Sequence, residues 1–463
     1  MSEPGGAALW TSEEIAEATG GTASAPFEVN GVAFDSREVG PGDLFIALKG
    51  EATDGHKFLD KAFASGAAGA LVSQPIDQPH VLVVDTTDAL NALGRAARAR
   101  MHGKVVGVTG SVGKTSTKEA LFAALERGRR GPVHRSVKSY NNHVGVPLSL
   151  ARMPRDAAFG VFEMGMNHAG ELSALTRIVR PHVAIITAIA PAHIEYFGTE
   201  EAIARAKAEI FEGLEPGGTA IIPFDSPHRD LLIGAAETQG ANIVTFGLKQ
   251  GADVRATEAV PATSGGTLVV AHLPGGELCY TVAAPGEHNV SNSLAIIAAV
   301  EVVGGDLAAA GLALAEMPGL AGRGARHEVH AQDGEALLID ESYNANPLSM
   351  AATLRQLGRE KAQRRIAVLG AMKELGDQSA SLHADLAGPI EQAGVDCAIL
   401  VGNEMEPLAQ RLEGKLALAH VADAQAAKEA LAGEMRAGDV ILVKGSNSVG
   451  LSRLVAALAD GER

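Results

Sequence analysis

Gly110, Ser111, Val112, Gly113, Lys114, Thr115 and Ser116 form one run, GSVGKTS. It lies between an apolar β-branched stretch (Val105, Val106, Val108) and a helix-forming segment. The chemistry open to such a run is holding a polyphosphate. Glycines let backbone N–H groups turn inward around an anion, and the positive end of the following helix adds to the field. Lys114 brings a mobile cation to the outer phosphates, and Thr115 is placed to ligate Mg²⁺. The general pattern has a glycine six residues before the lysine, where this chain has Val108, so Gly110 and Gly113 frame the turn instead. A tight turn with a solvated lysine is the plain alternative. Strand, glycines, GKT and helix occurring together favour a nucleoside triphosphate site.

Other residues stand where ligands bind. Glu163 follows the strand-like FGVF, and a carboxylate at the C-terminal end of a parallel strand is either a Mg²⁺ ligand or an edge group. His193 follows a strand expected at 183–189, but Mg²⁺ prefers oxygen. Lys207, in AIARAKAEIF, reads by itself as a solvated helix lysine. Asn142, in NNHVGVP, either binds a polar ligand or builds an Asx turn. Asn289 and Asn292, at the start of an apolar helix, are caps or contacts to a base or ribose.

Near the front, Ser36, Arg37, Lys49, Gly50, Asp54 and His56 sit on turns. Their hydroxyl, guanidinium and ammonium groups suit a phosphorylated or carboxylated ligand, and equally ordinary surface turns. Towards the end, Arg323 lies in a glycine-rich linker, and Asp340, Tyr343, Asn344 and Ser446 follow strands.

These groups need elements to position them. A chain of 463 residues holds two to four domains, and the patterning divides it at 1–102, 103–316 and 317–463. The first region predicts a small α/β unit with a helix at 11–19, strands at 70–73 and 81–84, and a helix at 88–102. The central region predicts strands at 159–162 and 183–189, then a β-rich stretch over 217–280. The last alternates strands (335–339, 365–369, 397–401, 440–443) with helices (347–358, 379–393, 423–432, 448–458). That alternation predicts a Rossmann-like doubly wound sheet. No G-x-G-x-x-G opens it, so a dinucleotide is not expected.

The net charge of −16 argues against nucleic acid as a partner. Cys279 and Cys397, far apart in apolar runs, predict two buried thiols. Neither a signal peptide nor an apolar run of the roughly twenty residues that span a bilayer is visible. A cytoplasmic protein is expected, and nothing demands more than a monomer.

In order and rough spacing, TGSVGKTSTK, NNHVGVP, EMG, AHIEYFG, AKAEIF, GEHNVSNSLA and DESYNANPLSM resemble the Mur ligase family. These are the ATP-dependent amide ligases of bacterial peptidoglycan precursor synthesis, and the resemblance covers essentially the whole chain. YNANP and LVKGS look like the branch that joins D-alanyl-D-alanine to UDP-N-acetylmuramoyl-tripeptide. The Asp-Asn-Pro-Arg run usual in the branch that adds the third residue does not occur. Another family ligase with a different amino acid acceptor is the alternative.

The resemblance implies three domains: a small N-terminal α/β nucleotide-sugar domain, a central P-loop ATPase-like α/β domain and a C-terminal Rossmann-like domain. It implies that ATP phosphorylates the tripeptide carboxylate and that the dipeptide amine attacks the acyl phosphate. Lys114 would stabilise the transferring phosphoryl group, while Thr115 and Glu163 would hold one Mg²⁺. His193 and a carbamylated Lys207 would serve a second metal site. Asn289 and Asn292 would lie near the adenine, Asp340 at the ribose and Arg323 at a phosphate. Ser36, Arg37 and 49–56 would form the uridine-nucleotide pocket, and Asn142 would lie near substrate or phosphates. Tyr343, Asn344 and Ser446 would face the dipeptide. Val112 stands where the family commonly has asparagine, and Asn447 where many relatives have arginine. Closure of the C-terminal domain about the 318–323 linker is expected to shield the chemistry from water.

Overall fold

The computed structural model describes residues 8–50, 53–192, 194–262, 266–317 and 319–461. Among them the strands collect into sheets of five, nine and six, with a further two-stranded ribbon. In the first sheet Gly31–Ala33, Asp43–Ile46, Gly69–Val72 and His80–Leu82 run parallel. Every turn that follows them therefore opens on one edge. The helix Thr86–Arg100 is started by Asp85, whose side chain accepts from Thr87 N and Asp88 N, a cap worth about 1 kcal/mol. The helix buries Ala89, Leu90, Leu93 and Ala97 in the core beside this sheet. The unit is tied to the next by Trp10, whose Nε1 donates to Ala151 O at 2.8 Å.

Lys104–Thr109 is an interior strand of the nine-stranded sheet, third from one edge, flanked in parallel by Phe159–Glu163 and Val183–Ile186. Its Val105, Val106 and Val108 are fully buried, as a central parallel strand covered on both faces requires. The register sets Glu163 opposite Val108 and Ile186 opposite Thr109. The carboxylate, the phosphate loop and the turn after Ile186 thus share one carboxyl edge. The strand expected over 183–189 stops at Ile186, because Thr187 and Ala190 turn to bond the phosphate loop. Beyond Thr219–Pro223 and Asn242–Gly247 the sheet ends in an antiparallel ribbon, Val254–Pro261, Thr267–Leu273 and Gly276–Val282. The first strand of that ribbon is absent from the sequence expectations. VRATEAVP has no continuous apolar run and is largely solvated, with a register shift between Ala256 and Glu258.

Gly276–Val282 is the edge strand, and its alternation corrects the cysteine reading. Tyr280 and Val282 face the core, so Cys279 points outward and is exposed; Cys397, on an interior strand, is buried.

The six-stranded sheet runs Ala325–Ala331, Gly334–Glu341, Asp439–Lys444, Arg364–Gly370, Cys397–Val401 and Ala417–Val421, parallel after the first antiparallel pair. Both edge strands escape sequence reasoning because their residues are half exposed and few are β-branched. The helix expected over 379–393 is two, Ser379–Ala384 and Ala387–Gln392. Pro389 cannot donate to the carbonyl four residues back, which puts the break at 385–386. Among the described residues no helix is long and apolar enough to cross a membrane.

Candidate active site

The phosphate loop is shaped by what surrounds it. Gly110 has φ 150°, and a Cβ there would fall 1.9 Å from Thr187 Oγ1. Gly113 has φ 84°, and a Cβ would come within 2.9 Å of Asn292 Nδ2. Ser111 Oγ donates to Ala190 O and accepts from Ala190 N, each at 3.0 Å, which laces the loop to the neighbouring strand end. Gly110→Ala is expected to displace Thr187 and destabilise the fold by about 1–3 kcal/mol. Urea unfolding with and without ATP checks this, and the larger effect should be on nucleotide binding.

Lys114 opens the helix Lys114–Arg127 and folds its Nζ back to Gly110 O at 2.7 Å. Desolvation pulls its pKa below the usual lysine value; Glu163 opposes that shift and Arg323 adds to it. Thr115 Oγ1 donates to Glu163 Oε2 at 2.8 Å, and Asn141 Nδ2 donates to Glu163 Oε1 at 2.7 Å. Glu163 is almost wholly buried. A hydroxyl and a carboxylate converging beside a phosphate loop are the hard oxygen donors that Mg²⁺ takes.

Lys207 lies on the helix Glu200–Ala208 and is only 1% exposed. Among the described residues no hydrogen bond or ion pair reaches its ammonium. Burial, and then the charge of Lys114, drives its pKa well below the ordinary lysine value. The solvated-lysine alternative is thereby removed. His193 lies outside the described residues, as does Pro318 of the linker; Ala192 and Ile194 beside the histidine are buried.

A cleft of about 320 Å³ joins this edge to the C-terminal sheet. Ser111, Val112, Gly113, Lys114, Ser116, Asn289 and Asn292 line one side; Arg323, Glu341, Asn344 and Lys444 line the other. A narrow apolar recess adjoins it, bounded by Val282, Ala284, Ile296, Leu314 and Leu320 with Asn289 and Asn292 at its mouth. Asn289 Nδ2 donates to Pro285 O at 2.7 Å.

Arg323 stacks its guanidinium 4.2 Å from the Tyr343 ring centre. Asp340 is engaged by its own chain: Oδ2 accepts from Gly322 N at 2.6 Å, and Oδ1 accepts from Ser342 Oγ at 2.6 Å. It thereby latches the linker against the first strand end. Lys444 Nζ donates to Asn344 O at 2.9 Å and lies 3.4 Å from Glu341 Oε2. Ser446 Oγ accepts from Lys373 N at 3.0 Å, so it joins two strand-end loops.

The front residues occupy their own edge and do not line this cleft. Arg37 grips Asp35 through Nε at 2.9 Å and Nη2 at 2.6 Å, and this pairing holds the Asp35 carboxyl at a pKa of about 2. Ser36 is buried. The backbones of Lys49 and Asp54 pair in an isolated antiparallel β-bridge, and Gly50 N donates to Thr53 O at 2.9 Å. His56 Nδ1 faces Asp54 at 2.6 Å while Nε2 accepts from Ser73 N at 3.0 Å, which fixes the proton on Nδ1.

Asn142 is exposed and accepts from Gly145 N at 2.9 Å, building the Asx turn; its neighbour Asn141 reaches Glu163. Adjacent asparagines carry no signal that tells them apart. Thr187 escaped selection because the strand was expected to run on to 189, which hid its place at the carboxyl end.

A phosphate loop with a buried carboxylate beside it, facing a second α/β sheet across a cleft, defines an ATP-handling enzyme of several domains. Family models agree: the Mur ligase family catalytic domain matches residues 28–102, the Mur ligase middle domain 108–300, and the Mur ligase glutamate ligase domain 325–447. The chain belongs to the Mur ligase family. It is 36% identical to the UDP-N-acetylmuramoyl-tripeptide–D-alanyl-D-alanine ligase of Synechocystis over 94% of this chain and 93% of that one. It is 35% identical to the enzyme of the same name from Escherichia coli over 94% and 95%. Among solved structures, MurF from Acinetobacter baumannii superposes with a TM-score of 0.84 at 32% identity, covering 97% of this chain and 99% of that one. MurF from Thermotoga maritima in complex with ADP gives 0.77 at 27% identity, covering 94% and 98%.

Proposed function

We propose that this chain joins D-alanyl-D-alanine to UDP-N-acetylmuramoyl-tripeptide with hydrolysis of ATP to ADP and phosphate, as a cytoplasmic step of peptidoglycan precursor synthesis. The observation that carries this is the phosphate loop lining one cleft with the opposing strand-end loops, while Glu163 is held behind the loop by Thr115. The relatives' shared name supplies the substrates. The three units, bounded near 102 and 316, divide the work, and a monomer suffices.

The turns bearing Ser36, Arg37, Lys49, Gly50, Asp54 and His56 receive the uridine nucleotide. The recess beside Asn289 and Asn292 receives adenine, and the cradle from Gly110 to Ser116 receives the phosphates. Asp340 borders the ribose, Arg323 a phosphate, and Asn142 the approach to both. Lys114 neutralises charge as the γ-phosphoryl group moves to the tripeptide carboxylate. An acyl phosphate then stands opposite Tyr343, Asn344 and Ser446, which orient the dipeptide. The dipeptide amine attacks the acyl carbon, the new C–N bond forms, and phosphate leaves with the C–O bond pair while the amine gives up a proton. Positioning and charge neutralisation account for most of such a rate.

Thr115 and Glu163 would hold one Mg²⁺, and His193 with Lys207 a second; bound there, the ions neutralise phosphate charge. A bare ammonium would repel a cation. Burial, however, lowers the pKa of Lys207 and so favours the free amine, the form that adds to carbon dioxide. The N–C bond forms, a proton is released, and the carbamate presents oxygen.

The deciding experiment is phosphate release assayed with each acceptor, with the product resolved by mass. Release and a new peptide mass are expected only with both the UDP-muramoyl tripeptide and D-Ala-D-Ala. A product with a single amino acid instead would move the chain to another branch. ATP turnover indifferent to both would end the ligase reading.

A further inference from the structure

Lys118 is fully buried, yet it carries an ammonium. It stands one turn beyond Lys114, on the helix that opens at the phosphate loop. Its Nζ donates to Ser136 O at 2.9 Å and Lys138 O at 2.7 Å and pairs with Glu119 at 2.8 Å. Those three partners use all its donors. Space alone would be filled better by methionine, because a buried charge is tolerated only where it is paired. Two backbone carbonyls are what call for a donor here.

The segment that Lys118 grips, 136–141, is a strap over Glu163. Ser136 N donates to Val161 O at 3.0 Å, and Ser136 Oγ accepts from Glu163 N at 3.1 Å. Five residues on, Asn141 O accepts from Gly165 N at 2.7 Å, and its Nδ2 holds Glu163 Oε1 at 2.7 Å. Between these anchors Lys138 has φ 52°, a left-handed conformation rare outside glycine. Its carbonyl is one of the two that Lys118 holds. The strap therefore fixes both the backbone and one oxygen of Glu163, leaving Oε2 toward Thr115.

We propose that Lys118 is a positioning residue: by clamping the strap it aims Glu163 Oε2 at the phosphate loop. This rests on the reading of Thr115 and Glu163 as metal ligands, so the test separates the two. Mn²⁺ serves as probe, its binding to the full chain with ATP followed by electron paramagnetic resonance, with thermal unfolding measured in parallel. Glu163→Gln comes first. If it binds Mn²⁺ as the unaltered chain does, the ligand reading fails and this proposal falls with it.

If Glu163→Gln loses Mn²⁺, Lys118→Met is expected to weaken Mn²⁺ binding about 10-fold or more. Metal-free ATP affinity should stay within about 2-fold, because the loop's N–H groups are untouched, and Lys118→Arg should recover part of the loss. A Lys118→Met chain that melts earlier but binds Mn²⁺ normally overturns the proposal. If Lys118→Met does not fold, Asn141→Ala decides, since it leaves the clamp and cuts the strap from the carboxylate. A loss of about 10-fold supports the proposal, and unchanged Mn²⁺ affinity overturns it.

Discussion

Lys114→Ala is expected to lower peptide joining by about 10³-fold while leaving the chain folded. Its Nζ makes one hydrogen bond, to Gly110 O, so little of the fold depends on it. Burial already depresses its pKa, with Glu163 as the opposing influence. That environment favours an ammonium most when a polyphosphate arrives. The loss should therefore fall on kcat more than on ATP affinity, which the backbone N–H groups and helix end still support. Single-turnover phosphate release with both substrates, set beside ATP binding by calorimetry, checks this. Full-speed joining by the variant would remove the phosphate loop from the mechanism.

The second large effect is expected at Lys207, and it runs in opposite directions for activity and stability. Lys207→Met should lower joining by about 10²-fold or more; in Lys207→Ala, which vacates the space, a short carboxylic acid in place of the proposed carbamate should restore part of it. Stability of the methionine variant should rise. In the unfolded chain this lysine stays protonated up to a pH of about 10.4, whereas burial holds the folded group neutral to well below that. Between the depressed and the ordinary value the unfolded state binds the extra proton, so folding stability climbs with pH across that window. Methionine removes both the dependence and the cost of neutralising the amine. In carbon dioxide-free buffer the variant should melt higher near neutrality, with a flatter dependence on pH. A lower melting temperature would mean that the amine has a stabilising partner.

The sequence made some of this legible and physically could not disclose the rest. The strand before the phosphate loop declared itself through Val105, Val106 and Val108, since a strand covered on both faces must be apolar throughout. Val254–Pro261 and Ala417–Val421 did not, since each keeps a solvated face and reads as a loop. Thr115 and Glu163 stand 48 positions apart, and only parallel register brings them to 2.8 Å. Lys207 looked like any helix lysine. Its meaning came from burial, a property of packing and not of local spacing. Asn141 and Asn142 are chemically identical neighbours, and only the direction of the turn decides which reaches Glu163.

Gly113 packs against Asn292, so a side chain there would push the Asn292 amide aside. Asn292 borders both the recess and the cleft, so with adenine in the recess as proposed, base and phosphates would be set from one shared contact. A purine of altered outline would tilt the whole triphosphate and leave its far end out of line. Fidelity toward ATP would then be enforced at the reacting bond, with impostors docking tolerably and failing to transfer.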